Sequence, residues 1–347
     1  MHPSTMTSNG ASVDRHRDGN CLIPVCYRGH MTAPPTPSGL ADRIVGTVEL
    51  DALLPFPVAI AALQSALGRV GASTPRTAVD LAAGQLLLMP SELGRFAGCK
   101  VISVAPGNPE RGIPRIQGVY LLMDAATLTP LAYLDGAELT AIRTPAVSAA
   151  LVDLVAAPDV RTLGLFGAGP QAVRHVAAMR AIRDIERVAV VGRSPARLEA
   201  TIAHLRASGV DAVASDPESA AHSDLIVCAT SASSPVLADT NIPAGSTVVA
   251  VGSHEPHRRE LPGELLGRSH VIVESREVAT TEAGDVIQAI AEGHLDEAAL
   301  IEFGDVATAV IGFDPTRPRV IKTCGVGWQD LVVAGEAYER LGTRPLA

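Results

Sequence analysis

Leu163-Gly164-Leu165-Phe166-Gly167-Ala168-Gly169-Pro170-Gln171-Ala172 decides the reading of this 347-residue chain. A short apolar strand runs into a GxGxxA turn, and a helical stretch follows. The first glycine permits the tight turn, the second lets a backbone approach a pyrophosphate, and Ala172 is small enough for helix–strand contact. The helix N-terminus then offers free N–H groups and partial positive charge to phosphates. Gly167, Ala168, Gly169, Pro170 and Gln171 are therefore candidate cofactor-binding residues.

Outward from this turn the pattern alternates strand and helix. Strands are predicted at 162–166, 188–191, 225–229 and 248–251, and helices at 170–183 and 195–207. Such alternation implies a parallel sheet covered on both faces. We assign 151–314 to a Rossmann-type, doubly wound NAD(P)-binding domain of α/β class. An NAD-preferring site usually carries an acid at the end of its second strand, for the ribose hydroxyl. This chain instead reads Gly192-Arg193-Ser194. Arg193 with Ser194 can hold a 2′-phosphate by charge-assisted bonds, or Arg193 can stack on the adenine. NADP(H) is the expected cofactor, with NAD(H) as the alternative.

Composition restricts the partners. Lys plus Arg number 28 against 37 Asp plus Glu, a net charge of −9, and no basic stripe offers itself to a phosphate backbone, so nucleic acid is not expected. No apolar run reaches the roughly 20 residues of a membrane span. The five cysteines are scattered without a CxxC pair, which indicates neither a zinc site nor a disulfide framework. No metal and a reducing cytoplasm are expected. Residues 1–40 are rich in Pro, Ser, Thr and Gly, lack an apolar period and lack a secretory h-region. We expect disorder there, with Met31 a candidate native start.

From residue 41 the pattern is regular. Ile60, Leu63 and Leu67 space an amphipathic helix over 57–67. Strands follow at 85–89, 100–104, 118–123 and 130–134, then a turn at Asp135-Gly136 and a helix at 141–155. This region reads as an α+β unit with an antiparallel or mixed sheet.

The run Asp135-Gly-Ala-Glu-Leu-Thr-Ala-Ile-Arg143-Thr-Pro-Ala-Val-Ser-Ala149, soon followed by the Gly167 turn, resembles the hallmark of the ornithine cyclodeaminase/mu-crystallin family. Met89-Pro90, Gly98-Cys-Lys100-Val, Pro106-Gly-Asn108, Val251-Gly252, Arg259-Glu260-Leu261, Glu282-Ala-Gly-Asp285, Glu302-Phe-Gly304 and Lys322-Thr-Cys-Gly325 fall in family order. The resemblance implies a substrate and dimerisation domain of 41–150 plus 315–347, with the nucleotide domain inserted and Lys322 to Leu341 returning to the first domain. It implies a homodimer joined through the first domains, and a substrate in the cleft beside the nicotinamide.

The same resemblance implies that Arg76, Lys100 and Arg143 bind a substrate carboxylate. Guanidinium forks suit carboxylates, and a lysine at the reacting end can give a proton to an imine. Further cofactor contacts are expected at Thr230, Val251 and Val326. Authentic ornithine cyclodeaminases carry an acid two residues before the Met of Met-Pro and an Asp after the Val-Gly pair; here Leu87 and His254 stand there. A buried amine needs an anionic partner, which Leu87 cannot supply. The ketimine and pyrroline-2-carboxylate reductase-like members are the nearer resemblance. His254 is a proton-donor or substrate-contact candidate or merely exposed, and Arg115 stands where relatives more often carry Ser or Thr, which suggests a second anionic group. His175 is packed or solvent-facing, Trp328 walls the nicotinamide or fills core, and Asn108 orients Lys100 or fastens a turn. The expected activity is NAD(P)H-dependent reduction of the C=N bond of a small 2-imino acid, or amino-acid dehydrogenation. The alternatives are a cyclodeaminase-type ammonia lyase with tightly bound NAD and a non-catalytic NADP-binding protein.

Overall fold

The computed structural model describes residues 44–70, 74–308 and 311–342. The 1–40 segment expected to be disordered lies outside the described residues. The first described strand and helices, β1 (Ile44–Val45), α1 (Thr47–Leu53) and α2 (Phe56–Leu67), lead into a meander. It comprises β2 (Thr77–Leu81), β3 (Gly84–Leu93), β4 (Phe96–Val104), β5 (Ile116–Asp124) and β6 (Pro130–Asp135). The sheet order is β1-β6-β5-β4-β3-β2, antiparallel except where β1 runs beside β6, so the sheet is mixed. β3 and β4 run longer than predicted because Leu93 pairs with Phe96, leaving only two residues for the turn. Met89, Lys100 and Tyr120 oppose one another across β3, β4 and β5, share the inner face and are buried.

Asp135-Gly136 does not make the expected turn. Asp135 caps α3 (Gly136–Val155), its carboxylate accepting the N–H groups of Ala137 and Glu138 at 3.0 Å each. The same short acceptor side chain serves turns and helix N-termini alike, so the dipeptide alone does not distinguish them.

The second layer holds β7 (Thr162–Phe166), α4 (Pro170–Arg180), β8 (Arg187–Val191), α5 (Pro195–Ala207), β9 (Asp211–Ala214), α6 (Pro217–Ala221), β10 (Leu225–Cys228) and β11 (Thr247–Ala250). It continues through α7 (Gly263–Arg268), β12 (His270–Val273), α8 (Arg276–Thr281), α9 (Gly284–Ala291), β13 (Ile301–Glu302), α10 (Phe303–Thr308) and β14 (Arg319–Lys322). All eight strands are parallel, in the order β13-β12-β14-β11-β10-β7-β8-β9. The order reverses between β7 and β10, the switch point where doubly wound sheets receive ligands at the carboxyl ends of their strands. Apolar strands such as Leu225–Cys228, buried at every residue, are what a sheet covered on both faces requires.

The return to the first layer comes later than the boundary at 315. β14 lies between β11 and β12, its Val320 and Ile321 fully buried, because a central strand needs apolar residues on both faces. Only after Lys322 does the chain cross back, and α11 (Gly327–Gly342) packs on α2, α3, β3, β4 and β5. α3 touches β5 on one side and α4, β11 and β14 on the other, and it is buried nearly all round, as a helix between two layers must be.

Candidate functional site

The glycine turn joins β7 to α4 at the switch point. Gly167 has φ +124°, and a Cβ there would lie 2.4 Å from the Ala229 carbonyl oxygen, so no other residue fits this crossing between β7 and β10. Gly169 precedes α4 with no side chain capping the helix and open space where its Cβ would be. Pro170 opens the helix, Gln171 follows, and Ala172 is fully buried against the strand. Uncapped N–H groups facing open space suit a pyrophosphate, and the residues present therefore fit a dinucleotide. Arg193 and Ser194 are exposed after β8. Arg193 forms no ion pair among the described residues, and the Ser194 side chain does not cap α5, so both are available to a phosphate. Thr230 follows β10, with its N–H and hydroxyl both donated to Glu260 at 2.7 Å. Val251 follows β11, and Val326 lies beside Arg76, Met89 and Glu282 around a cavity of about 50 Å³.

Two of the three expected carboxylate ligands, Lys100 and Arg143, meet on a residue the sequence reading missed, and the third, Arg76, lies against the turn after β14. Asp330, fully buried on α11, takes Lys100 Nζ at 2.8 Å on one oxygen and Arg143 Nε at 3.3 Å on the other. Lys100 also donates to Thr140 Oγ1 at 3.3 Å, which leaves its ammonium one further hydrogen. Arg143 gives Nη1 to Gln329 Oε1 at 3.0 Å and keeps its Nη2 edge for another partner. Gly325, at φ +81°, lies against that edge: a Cβ there would meet both terminal nitrogens at 2.6 Å. Its carbonyl accepts Arg76 Nη2 at 2.8 Å, and Arg76 also pairs with Glu282 at 2.6 Å. Glu274 fixes the turn, accepting the N–H groups of Cys324 and Gly325 at 2.7 and 2.8 Å and the Gln329 amide at 2.7 Å.

Burial brings the Lys100 ammonium down to about 8, with Asp330 opposing the fall and Arg143 and Arg76 adding to it. That value suits a proton donor near neutral pH. His254 is exposed on the loop after β11. Its pKa is lowered by desolvation among its neighbours, then by Arg76, with Glu255 opposing and Lys322 and Arg115 contributing. A histidine so placed holds its proton less firmly than usual, which makes Lys100 the better source. Arg115 is exposed in the bend before β5.

Of three residues left open, two are packed and the third fastens a loop. His175 is fully buried, with Nδ1 2.8 Å from the Gln171 carbonyl and Nε2 3.1 Å from Ser148 Oγ; burial lowers its pKa to about 4, so it joins α4 to α3 as a neutral ring. Trp328 belongs to the apolar core. Asn108 donates to the Pro114 carbonyl at 3.2 Å and fastens the loop. Among the described residues no group of three or more His, Cys, Asp or Glu could hold a metal ion, and no single helix is long and apolar enough to cross a membrane.

This arrangement defines a doubly wound dinucleotide-binding fold with a cluster of buried cations, Lys100, Arg143 and Arg76, near the end of β14. The chain belongs to the ornithine cyclodeaminase/mu-crystallin family, whose model matches residues 44–344. It is 34% identical over 265 residues to a Delta(1)-pyrroline-2-carboxylate reductase of Bacillus cereus, covering 73% of this chain and 81% of the relative. It is 31% identical to a Delta(1)-pyrroline-2-carboxylate/Delta(1)-piperideine-2-carboxylate reductase of Azospirillum brasilense, covering 84% and 94%. The solved Thermococcus litoralis Delta(1)-pyrroline-2-carboxylate reductase, in complex with NADH and L-proline, superposes with a TM-score of 0.81 at 27% identity, covering 86% of this chain and 97% of that one.

Proposed function

We propose that the chain is an NADP(H)-dependent reductase of small cyclic 2-imino acids, the substrate class its Bacillus and Azospirillum relatives are named for. The observation that carries this reading is the Lys100–Asp330–Arg143 assembly, which leaves one ammonium hydrogen and one guanidinium edge unspent beside Gly325 at the rim of the nucleotide sheet. The dinucleotide, held by the glycine turn and by Arg193 and Ser194, supplies the hydride. Arg143 takes the substrate carboxylate on its Nη2 edge, and Arg76 joins it on exchanging Glu282 for substrate. Lys100 gives the proton to the imine nitrogen. Leu87, on the same face of β3 as Met89, leaves a side-chain amine without an anionic partner there, which disfavours the lyase. Adding Δ1-pyrroline-2-carboxylate should consume NADPH in step with the appearance of proline. Ammonia release from ornithine with no net NADPH change would assign the lyase instead.

The cofactor choice rests on Arg193 and Ser194. Arg193→Asp should weaken NADPH binding at least tenfold, the loss of one charge-assisted phosphate contact, while NADH binding changes little. Equal affinity of the unmodified protein for both cofactors would refute the preference. The outer face of the six-stranded sheet exposes Val79, Leu81 and Val119 at 42, 55 and 39%, with the described helices packed on the inner side. Apolar sheet surface of this kind favours a homodimer through the first layer. Light scattering at micromolar concentration should give twice the chain mass; a monomer would contradict it.

A further inference from the structure

Three sequence motifs, Arg259-Glu260-Leu261, Glu282-Ala-Gly-Asp285 and Lys322-Thr-Cys-Gly325, meet in one buried ionic cluster through Glu260, Asp285 and Lys322, residues that the chemistry above does not use. Glu260, Asp285 and Lys322 are each at most 2% exposed. Lys322 Nζ lies 3.3 Å from Asp285 Oδ2 and donates to the carbonyls of Ser253 at 2.5 Å and Ala250 at 3.4 Å. Asp285 Oδ1 accepts the backbone N–H groups of Glu260 and Leu261 at 2.6 and 2.8 Å. Glu260 Oε1 accepts the Thr230 N–H and hydroxyl, both at 2.7 Å, and its Oε2 accepts the Gly252 N–H at 2.7 Å. Burial lowers the Lys322 pKa, but Asp285, Cys324 and Glu260 outweigh it and hold it above the ordinary lysine value, so the cluster keeps its central cation.

These bonds share one location. Thr230 follows β10, Gly252 and Ser253 follow β11, and Lys322 ends β14, three adjacent strands of the parallel sheet. Glu260 also closes the 252–260 loop at its base, and that loop carries His254. A doubly wound sheet binds a dinucleotide in two halves, the glycine turn serving the adenosine side and the strands beyond the switch point the other. The cluster therefore lies wholly beneath the half opposite Arg193.

We propose that Glu260 is a positioning residue for the nicotinamide end of the cofactor, holding the β10 and β11 loops in register through Thr230 and Gly252 and being held in turn by Asp285 and Lys322. This rests on the dinucleotide reading above and goes beyond it in assigning the second half of the site. Glu260→Gln keeps the shape but lets only one oxygen accept, so either the Gly252 or the Thr230 attachment is lost. Glu260→Asp keeps the charge beside Lys322 but is too short to reach both loops, and it separates reach from charge balance should the Gln variant fold poorly. Calorimetric titration with two probes, NADPH and 2′-phospho-ADP-ribose, which lacks the nicotinamide, decides the matter. In both variants NADPH affinity should fall about tenfold or more while 2′-phospho-ADP-ribose binds as before. Equal losses for the two probes would make the cluster a general stabiliser of the fold, and unchanged NADPH affinity would make it a bystander; either overturns the proposal. An unmodified protein that binds neither probe would instead overturn the dinucleotide reading, and this inference with it.

Discussion

Lys100→Met should yield a folded protein that binds NADPH normally and turns over its imine about 10²–10⁴-fold more slowly, the usual cost of removing a positioned acid. Methionine fills nearly the same space between Met89 and Tyr120 on the inner face of β4, so packing changes little. Asp330 keeps Arg143 as a partner, and the glycine turn lies on the other layer. The measurement is single-turnover kinetics alongside NADPH titration. Turnover within a few-fold of the unmodified enzyme would show that the proton comes from elsewhere, with His254 the next donor to test.

Asp330→Asn should act through Lys100 and Arg143 together. The carboxylate opposes the desolvation that brings Lys100 to about 8; without it, burial, Arg143 and Arg76 all push the same way, so the ammonium loses its proton at lower pH. Protonated Lys100 is the form that donates, so kcat falls as pH rises through its pKa, and this basic limb must move to more acidic pH in the variant. The substituted amide has a single acceptor oxygen and can serve one cation only, so KM for the imino acid should rise as Arg143 loses its orientation. Removing one partner of a buried ionic set costs about 3–5 kcal/mol of stability, and the melting temperature should fall accordingly. A variant with a lower melting temperature but an unmoved basic limb would show that Asp330 only supports the fold.

The nucleotide-binding layer was legible because its signals are local. β7 and α5 have the predicted bounds, since an apolar strand ending in glycines and a helix opening on Pro195 each declare themselves within a few residues. β9, β12, β13 and β14 were not foreseen. Each is at most four residues long, and β14 begins with Arg319 and ends with Lys322, so its burial follows from neighbours rather than from its own pattern. The candidate site divides in the same way. Lys100 stands out as a charge in an apolar strand and Arg143 as part of a dense motif, whereas Asp330 is paired with residues 187 and 230 positions away. No local period reports such a pairing. Asp330, directly before the apolar run Leu331–Ala334, was an available hint.

The placement of α11 bears on how the protein is made. Lys100 and Arg143 are made 230 and 187 residues before the acid that neutralises both, which sits on the last described helix just after the final strand of the parallel sheet. Because β14, a central strand paired on both sides, ends only at Lys322, the parallel sheet and the neutralisation of the meander's two buried cations are both completed by the last described stretch of chain. The Lys100–Arg143 face is therefore incomplete until α11 has been made. A message cut short before residue 330 would release a polypeptide whose Lys100 and Arg143 lack the one acid that pairs with both.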